Sequence, residues 1–187
     1  MSELTLCVAV AGPMLEPTGA HAGRAAVMIR FATAGDRDAK QLAVEDIVRE
    51  VHALDTVRSY RLVVTGPEAA ERWTDALAVP LRRAGYRIHL ETTGTHVPAG
   101  AIDWQAITPV RGSSIVNMHA DEVRVIVRAL DQVGNVLPFL VDTIGIEVDG
   151  PARLIGPPRS SLVGGTIGFW LRATGEAGIV RVRVTSD

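Results

Sequence analysis

Cysteine is almost absent from this chain of 187 residues, since Cys7 is its single thiol. One thiol can build neither an intramolecular disulfide, nor a cysteine-ligated zinc site, nor an iron–sulfur cluster. Lysine is equally scarce: Lys40 stands alone, and the other basic residues are arginine. The formal net charge of -2 offers no basic footprint for a nucleic-acid backbone. We therefore expect no metal, no cofactor and no nucleic-acid partner.

Long apolar runs are also missing from the sequence. No stretch reaches the roughly 18 apolar residues that cross a bilayer, so we expect no membrane insertion. The residues from Met1 to Leu6 show no basic region followed by an apolar run, and no signal peptide is predicted. Hydrophobic residues still make up 47% of the chain, which is enough for a packed core. These features predict a protein that is made in the cytoplasm.

The first 110 residues alternate strand-like and helix-like segments. Apolar residues at i, i+3, i+4 and i+7 within 44–51 predict an amphipathic helix. A second helix is predicted to start at 66–68, to kink at Pro80 and to end at Gly85. This alternation predicts an α/β domain with a mostly parallel sheet. The predicted strands are 25–31, 60–65, 87–91 and 103–108.

The remaining residues lack a helical period. Valines alternate with arginines in 123–129 and again in 180–184, which is the pattern of half-buried strands. Glycine- and proline-rich turns follow at short intervals, as in an antiparallel sandwich. We predict a linker at 111–118 and an all-β sandwich over 119–187. The apolar run 168–171 is predicted as core of this sandwich, with a binding edge as the alternative.

Several segments of the first half, taken in order, resemble one enzyme family. His21–Phe31 is similar to the segment that precedes its cluster loop, and Val44–Val51 to its first helix. Val63–Glu68 stands where the family has a Thr-Gly-Gly-Glu-Pro turn, and Glu91–Thr95 is similar to its Glu-Thr-Asn-Gly-Thr strand end. Asp103–Pro109 is similar to its Asp-Trp…Ser-Pro-Lys segment. The family is that of 7-carboxy-7-deazaguanine synthases, radical S-adenosylmethionine (SAM) enzymes, and the resemblance implies a partial radical-SAM-like barrel.

The cofactor-binding residues of that family are replaced in this sequence. Its CxxxCxxC-type loop corresponds to Ala32–Ala39, where Asp36 and Asp38 are poor substitutes for thiolates at an iron–sulfur cluster. The second glycine of its SAM-contacting turn is Pro67, and its Gln-Gly-Glu-Gly segment is Ala11–Met14. Because the residues that bind the cluster and SAM in this family are replaced, we predict that this protein is not an enzyme. It then has no catalytic and no cofactor-binding residue.

The second half carries a different series of motifs. A strand and an Asp-x-x-Gly-Asn turn occupy 127–135, a strand followed by Gly-Pro-x-x-Leu occupies 146–156, and Gly-Glu-Ala-Gly falls at 175–178. These features resemble the bacterial immunoglobulin-like modules at the C-terminal end of family 2 glycoside hydrolases. The resemblance implies an immunoglobulin-like β-sandwich without catalytic residues, because such a module specifies fold and not function.

A candidate ligand pocket falls at the end of the third predicted strand. Glu91, Thr92 and Thr93 lie where parallel strands of α/β sheets place ligand contacts, and His89 is predicted to line the same pocket. The alternative is that Glu91 and Thr92 bind neighbouring backbone as inherited scaffold. The spacing of the histidines matches no metal template, so no metal site is predicted.

Three functions follow from these patterns. The first is a non-catalytic structural or interaction protein, with protein partners through self-association or a larger assembly. Immunoglobulin-like modules occur on tailed-phage particles and deazaguanine-pathway genes occur in phage genomes, so the resemblances imply a virion component, either a capsid decoration or a tail-associated protein. The second is a pseudoenzyme that still binds a pterin or a deazapurine-like ligand. The third is an enzyme with unrecognised chemistry.

Overall fold

The computed structural model describes residues 4–17, 19–32, 35–110, 112–117 and 119–186. The chain divides into two compact units, Met1–Ala120 and Asp121–Asp187, which we call unit 1 and unit 2. Each unit has a hydrophobic core of its own. Arg111 and Met118 of the predicted linker lie outside the described residues.

The described residues of unit 1 form strands and three helices. Its elements in chain order are β1 (Thr5–Leu15), β2 (Ala25–Phe31), β3 (Lys40–Ala43), α1 (Val44–Leu54), β4 (Arg61–Thr65), α2 (Ala69–Arg72), α3 (Asp75–Arg83), β5 (Arg87–Thr92) and β6 (Trp104–Ile107). The predicted strands at β2, β4, β5 and β6 and the predicted helix at α1 are confirmed.

The strands of unit 1 follow the spatial order β3-β1-β2-β4-β5-β6. β2, β4, β5 and β6 run parallel to one another, whereas β1 is antiparallel to both β2 and β3. The sheet is therefore mixed, and the predicted parallel pairing holds for the part from β2 to β6. The register places Arg61 beside Arg87 and His89 beside Trp104.

The helices of unit 1 cover one face of this sheet. Ile47 and Val51 of α1 and Leu77 and Leu81 of α3 are completely buried, in the same core as Trp73. The strands contribute alternate residues to that core, as period-two geometry requires. These strand residues are Val27 and Ile29 of β2, Leu62 and Val64 of β4, and Ile88 and Leu90 of β5. Arg61, Val63, His89 and Glu91 consequently lie on the opposite face.

The single helix predicted after Gly66 is in fact two helices. α2 ends at Arg72, and Trp73 and Thr74 adopt extended backbone angles before α3 begins. The carbonyl oxygen of Trp73 accepts a hydrogen bond from the amide of Gly100 at 3.0 Å. The Trp73 indole nitrogen donates to the carbonyl of Ala101 at 3.2 Å. The chain leaves the helical path here because a distant loop supplies these partners.

The described residues of unit 2 form antiparallel strands in two groups. Its strands are β7 (Glu122–Arg128), β8 (Thr143–Asp149), β9 (Ala152–Ile155), β10 (Arg159–Ser161), β11 (Thr166–Ala173) and β12 (Arg181–Ser186). β11 pairs with β7 and β9, and β8 pairs with β10 and β12. One core contains Ile144 and Ile146 from β8 together with Phe169 and Leu171 from β11, so both sheets contribute to it. The predicted apolar strand at 168–171 therefore lies in this core.

Candidate functional site

The predicted pocket residues Glu91, Thr92 and Thr93 lie at the carboxyl end of β5. Glu91 and Thr92 are half-buried, whereas Thr93 is exposed. The Thr92 carbonyl accepts a hydrogen bond from the amide of Thr108 at 2.8 Å, and its hydroxyl oxygen accepts one from the amide of Gly94 at 3.2 Å. Thr92 thus stabilises the turn that follows β5. These hydrogen bonds to neighbouring backbone are of the kind expected if Thr92 is inherited scaffold.

An ion pair shapes the loop after β2, in which the synthase resemblance places cluster cysteines. Arg30 near the end of β2 donates two hydrogen bonds to the carboxylate of Asp36, which also accepts one from the amide of Asp38 at 3.2 Å. Bonding to Arg30 and to the Asp38 amide holds the pKa of Asp36 below its usual range, which favours the carboxylate. Thr33 and Ala34 of this loop lie outside the described residues.

The turn after β4 is fixed by close packing of its backbone. Gly66 has φ of 108°, and a Cβ placed on it would lie 2.9 Å from the amide nitrogen of Phe31 and closer still to the Phe31 carbonyl. Glu68 has φ of 59° and forms hydrogen bonds of 2.8 and 3.0 Å with Arg72. Pro67 has no amide hydrogen to offer a ligand. Glycine is therefore required at position 66 by the fold itself.

His89, the fourth predicted pocket residue, lies two residues before Glu91 on the same face of β5. It is the third residue of β5, and it lies in a cluster with Glu16, His21 and Arg61, which we call the amino-end cluster. Arg61 is the first residue of β4. The cluster therefore lies toward the amino ends of the parallel strands, whereas the loops after β2, β4 and β5 lie at their carboxyl ends.

Short polar distances connect the members of the amino-end cluster. The Arg61 guanidinium donates to Nε2 of His89 at 2.8 Å and approaches Nδ1 of His21 at 3.4 Å. Oε1 of Glu16 lies 3.4 Å from Nδ1 of His89 and 3.7 Å from Nε of Arg61. The His21 ring lies 4.5 Å from the His89 ring and 4.6 Å, edge to face, from the Trp104 ring.

Burial governs the electrostatics of this cluster. Glu16 and His89 are 8% and 6% exposed. Burial, and then the neighbouring His89, lower the pKa of His21 to about 4, so its imidazole is neutral at pH 7. Burial also lowers the pKa of Arg61 from its usual value. Oε1 of Glu16, Nε2 of His21 and Nδ1 of His89 are buried atoms without a hydrogen-bond partner.

The sequence patterns do not bring this cluster together. They place His21 in a motif and Trp104 in a strand, and they assign neither Glu16 nor Arg61 to a site. The available signal was weak: Arg61 is a charged residue at the start of an apolar strand.

Within the described residues, no group of three or more His, Cys, Asp or Glu side chains could hold a metal ion. Across the same residues, none of the helices has the length and apolarity needed to cross a membrane.

The geometry of unit 1 defines an α/β domain with helices on one sheet face and loops at the carboxyl ends of parallel strands. No protein-family model matches the chain. A 7-carboxy-7-deazaguanine synthase of Bacteroides thetaiotaomicron is 31% identical over 126 residues, covering 63% of this chain and 68% of the synthase. A beta-galactosidase of Rhizobium radiobacter is 36% identical over 95 residues, covering 51% of this chain and 69% of that protein. The chain belongs to the 7-carboxy-7-deazaguanine synthase family, and by the same measure it belongs in part to the beta-galactosidase family.

Two further comparisons define the extent of these relationships. A beta-galactosidase of Rhizobium meliloti is 65% identical over 46 residues, which are 25% of this chain and only 6% of that enzyme. The crystal structure of QueE from Escherichia coli matches with a TM-score of 0.55 and 18% identity, over 64% of this chain and 69% of QueE. The second match concerns the fold alone.

The residues present do not fit the iron–sulfur cluster that the synthase family implies. The sequence has one cysteine, Cys7, on β1, where its carbonyl accepts a hydrogen bond from the amide of Ala32 at 3.1 Å. Cys7 therefore lies beside the start of the loop, but a single thiolate cannot replace the several that ligate a cluster. Asp36, in that loop, is bound to Arg30. We derive no reaction step through a cluster or through SAM.

Proposed function

We propose that this chain is a non-catalytic structural or interaction protein. In this role unit 1 is a folded scaffold that does not cleave SAM reductively, and unit 2 supplies a surface for a protein partner. The observation that carries the proposal is the set of groups in the loop after β2. Asp36 and Arg30 bind each other there, and the whole chain has one thiol.

The residues that build the fold support a scaffold role. Trp73, Leu77 and Leu81 are completely buried, and Gly66 keeps the close approach of its turn to Phe31. Replacement of large buried side chains of this kind with alanine costs about 2 to 5 kcal/mol each. The unit therefore has a well-packed core, although the loop after β2 has no thiolates.

An apolar surface on unit 2 supports an interaction role. Phe139, Val141 and Val163 are 93%, 66% and 80% exposed, and we call these three residues the apolar patch. They belong to two neighbouring loops, because the amide of Gly165 donates to the carbonyl of Leu140 at 3.3 Å. Exposed apolar patches mark interaction sites more often than scattered single residues do.

The setting that we propose is the virion of a tailed phage, in which the protein is a capsid decoration or a tail-associated component. It would be held there by self-association or by another virion protein. Mass spectrometry of purified particles tests this setting. A fixed copy number per particle is expected, and its absence from particles would overturn the setting while leaving the interaction role in place.

Anaerobic reconstitution with iron and sulfide tests the non-catalytic part of the proposal. We expect no stoichiometric iron–sulfur absorbance and no formation of 5′-deoxyadenosine from SAM. A synthase with its three cysteines is the positive control, and Cys7→Ser identifies iron bound only at the single thiol. A stoichiometric cluster that cleaves SAM would overturn the proposal.

A matched pair of surface variants tests the interaction part. Phe139→Ser combined with Val163→Ser is expected to weaken self-association or particle binding at least tenfold, measured by sedimentation velocity and particle pull-down. Val97→Ser is the control, because Val97 is 61% exposed but belongs to unit 1. If the patch variant and the control behave alike, unit 2 does not use the apolar patch as its contact surface.

A second candidate function is favoured by the half-buried Glu91 at the carboxyl end of β5. Here the chain is a pseudoenzyme that binds a pterin or a deazapurine-like ligand. Ligand binding to the folded state raises the melting temperature with ligand concentration. We expect that any such shift disappears in Glu91→Gln, with Glu147→Gln in unit 2 as the control. The absence of a shift with either compound would exclude this candidate.

A further inference from the structure

The amino-end cluster joins the loop between β1 and β2 to the sheet. Glu16 and His21 come from this loop, whereas Arg61 and His89 come from the strands β4 and β5. The loop is closed by its own hydrogen bonds, from the amide of Glu16 to the carbonyl of Arg24 at 2.9 Å and from the amide of Gly23 back to the carbonyl of Glu16 at 2.8 Å. Thr18 of this loop lies outside the described residues.

The positions of the protons in the cluster follow from donor and acceptor chemistry. A guanidinium has only donors, so each imidazole nitrogen that contacts Arg61 must offer a lone pair. These nitrogens are Nε2 of His89 at 2.8 Å and Nδ1 of His21 at 3.4 Å. The ring proton of His89 therefore lies on Nδ1, facing Glu16, and that of His21 lies on Nε2.

We propose that the amino-end cluster is an acid switch: protonation of His21 turns its nitrogen facing Arg61 into a donor and releases the β1–β2 loop from the sheet. An N–H group of the imidazolium would then face an N–H group of Arg61. The present hydrogen bond depends on a lone pair of the neutral imidazole, which protonation removes. In a buried site this repulsion is weakly screened. Release of the loop moves His21 away from Trp104, with which it forms an edge-to-face contact at 4.6 Å.

The charges around the two histidines favour this response. Glu16 is the acidic group that attracts an added proton, and it lies 3.4 Å from Nδ1 of His89. Arg61 opposes the added charge directly, Arg24 acts on both His21 and Arg61, and Arg87 acts on Arg61. Among the charged groups that act on His21, Glu16 favours the added proton, whereas Arg61 and Arg24 oppose it. The inference rests on this geometry and not on the proposed function.

The proton positions can be measured in the unmodified protein. Long-range ¹H–¹⁵N spectra at pH 7 are expected to show the Nδ1–H tautomer for His89 and the Nε2–H tautomer for His21. Reversed tautomers, or a doubly protonated ring at this pH, would overturn the proposal. This measurement does not depend on whether any variant folds.

Release of the loop is followed by Trp104 fluorescence between pH 7 and pH 3, because the pKa of His21 is about 4. We expect one reversible transition, with far-ultraviolet circular dichroism unchanged, that disappears in Trp104→Phe. In His21→Asn with His89→Gln an amide oxygen can replace each nitrogen that faces Arg61, and neither amide takes up a proton in this range, so the transition is expected to be lost. His96→Gln is the control, because the His96 side chain is 54% exposed. A transition that persists in the double variant, or no transition in the wild type, would refute the acid switch.

Discussion

Gly66 packs directly against the backbone of Phe31, and no side chain larger than hydrogen fits between them. Its φ of 108° is also unfavourable for any residue with a Cβ. We predict that Gly66→Ala lowers the free energy of unfolding by about 3 kcal/mol, the sum of backbone strain and overpacking. Urea unfolding measures this change.

Gly23→Ala is the matched control for that prediction. Gly23 has φ of 79°, but no atom lies within 4 Å of the position that a Cβ would occupy there. We expect a cost of about 1 to 2 kcal/mol from the left-handed backbone alone. Equal costs at positions 23 and 66 would show that packing against Phe31 is unimportant.

A second prediction concerns the core of unit 1. Leu77 and Val79 lie on α3, and Leu77 is completely buried while Val79 is 38% exposed. Leu77→Ala should lower the free energy of unfolding by about 2 to 5 kcal/mol, because it removes buried methyl groups and leaves a cavity. Val79→Ala should change it by less than about 0.5 kcal/mol. Chemical denaturation of both variants under one set of conditions makes the comparison.

A third prediction follows from the buried carboxylate of Asp55. Burial opposes its ionisation, but hydrogen bonds from the amides of Ser59 and Tyr60 and from the Ser59 hydroxyl outweigh burial and hold the pKa of Asp55 below 3.8. The contribution of Asp55 to stability is therefore present above pH 3.8 and is lost as the pH falls through the lower, folded-state pKa. We expect the stability difference between wild type and Asp55→Asn to shrink between pH 6 and pH 3. A difference that stays constant over this range would contradict the prediction.

A fourth prediction concerns His21 and global stability. Its pKa is lowered from 6.5 to about 4 in the folded state, first by burial. The unfolded chain takes up a proton below pH 6.5 that the folded chain takes up only near pH 4. The free energy of unfolding should therefore fall as the pH drops from 6.5 to 4, by at most about 1.4 kcal/mol per pH unit from this group. Denaturant titrations at half-unit pH intervals, with His21→Gln as the comparison, isolate this contribution.

Much of the fold of unit 1 could be predicted from local patterns. β2, β4, β5 and α1 have strong apolar periodicities that agree with their final burial. β1 was not predicted, because Gly12 and Pro13 interrupt its apolar pattern. The pairing of β1 with β2 is irregular between Ala11 and Met14, which accommodates this interruption.

The helix break and the amino-end cluster could not be predicted, for one shared physical reason. Both depend on partners that are distant in sequence: Gly100 for Trp73, and Arg61 for His21. Periodicity reports which face of an element is buried, but it does not report which buried polar groups meet across a sheet. That information is contained in strand order and register, which a single sequence does not supply.

The shortness of β4 has a consequence for engineering this protein. From Arg61 to Thr65 the strand advances four residues, about 13 Å, which exceeds the separation of about 7 to 10 Å within which substitutions usually influence one another. Thiolates could be introduced after β2, or Arg61 could be neutralised, with each change acting almost independently of the other. New reactive groups can thus be introduced at the carboxyl ends of the parallel strands of unit 1, while the amino-end cluster at the opposite ends is left unchanged.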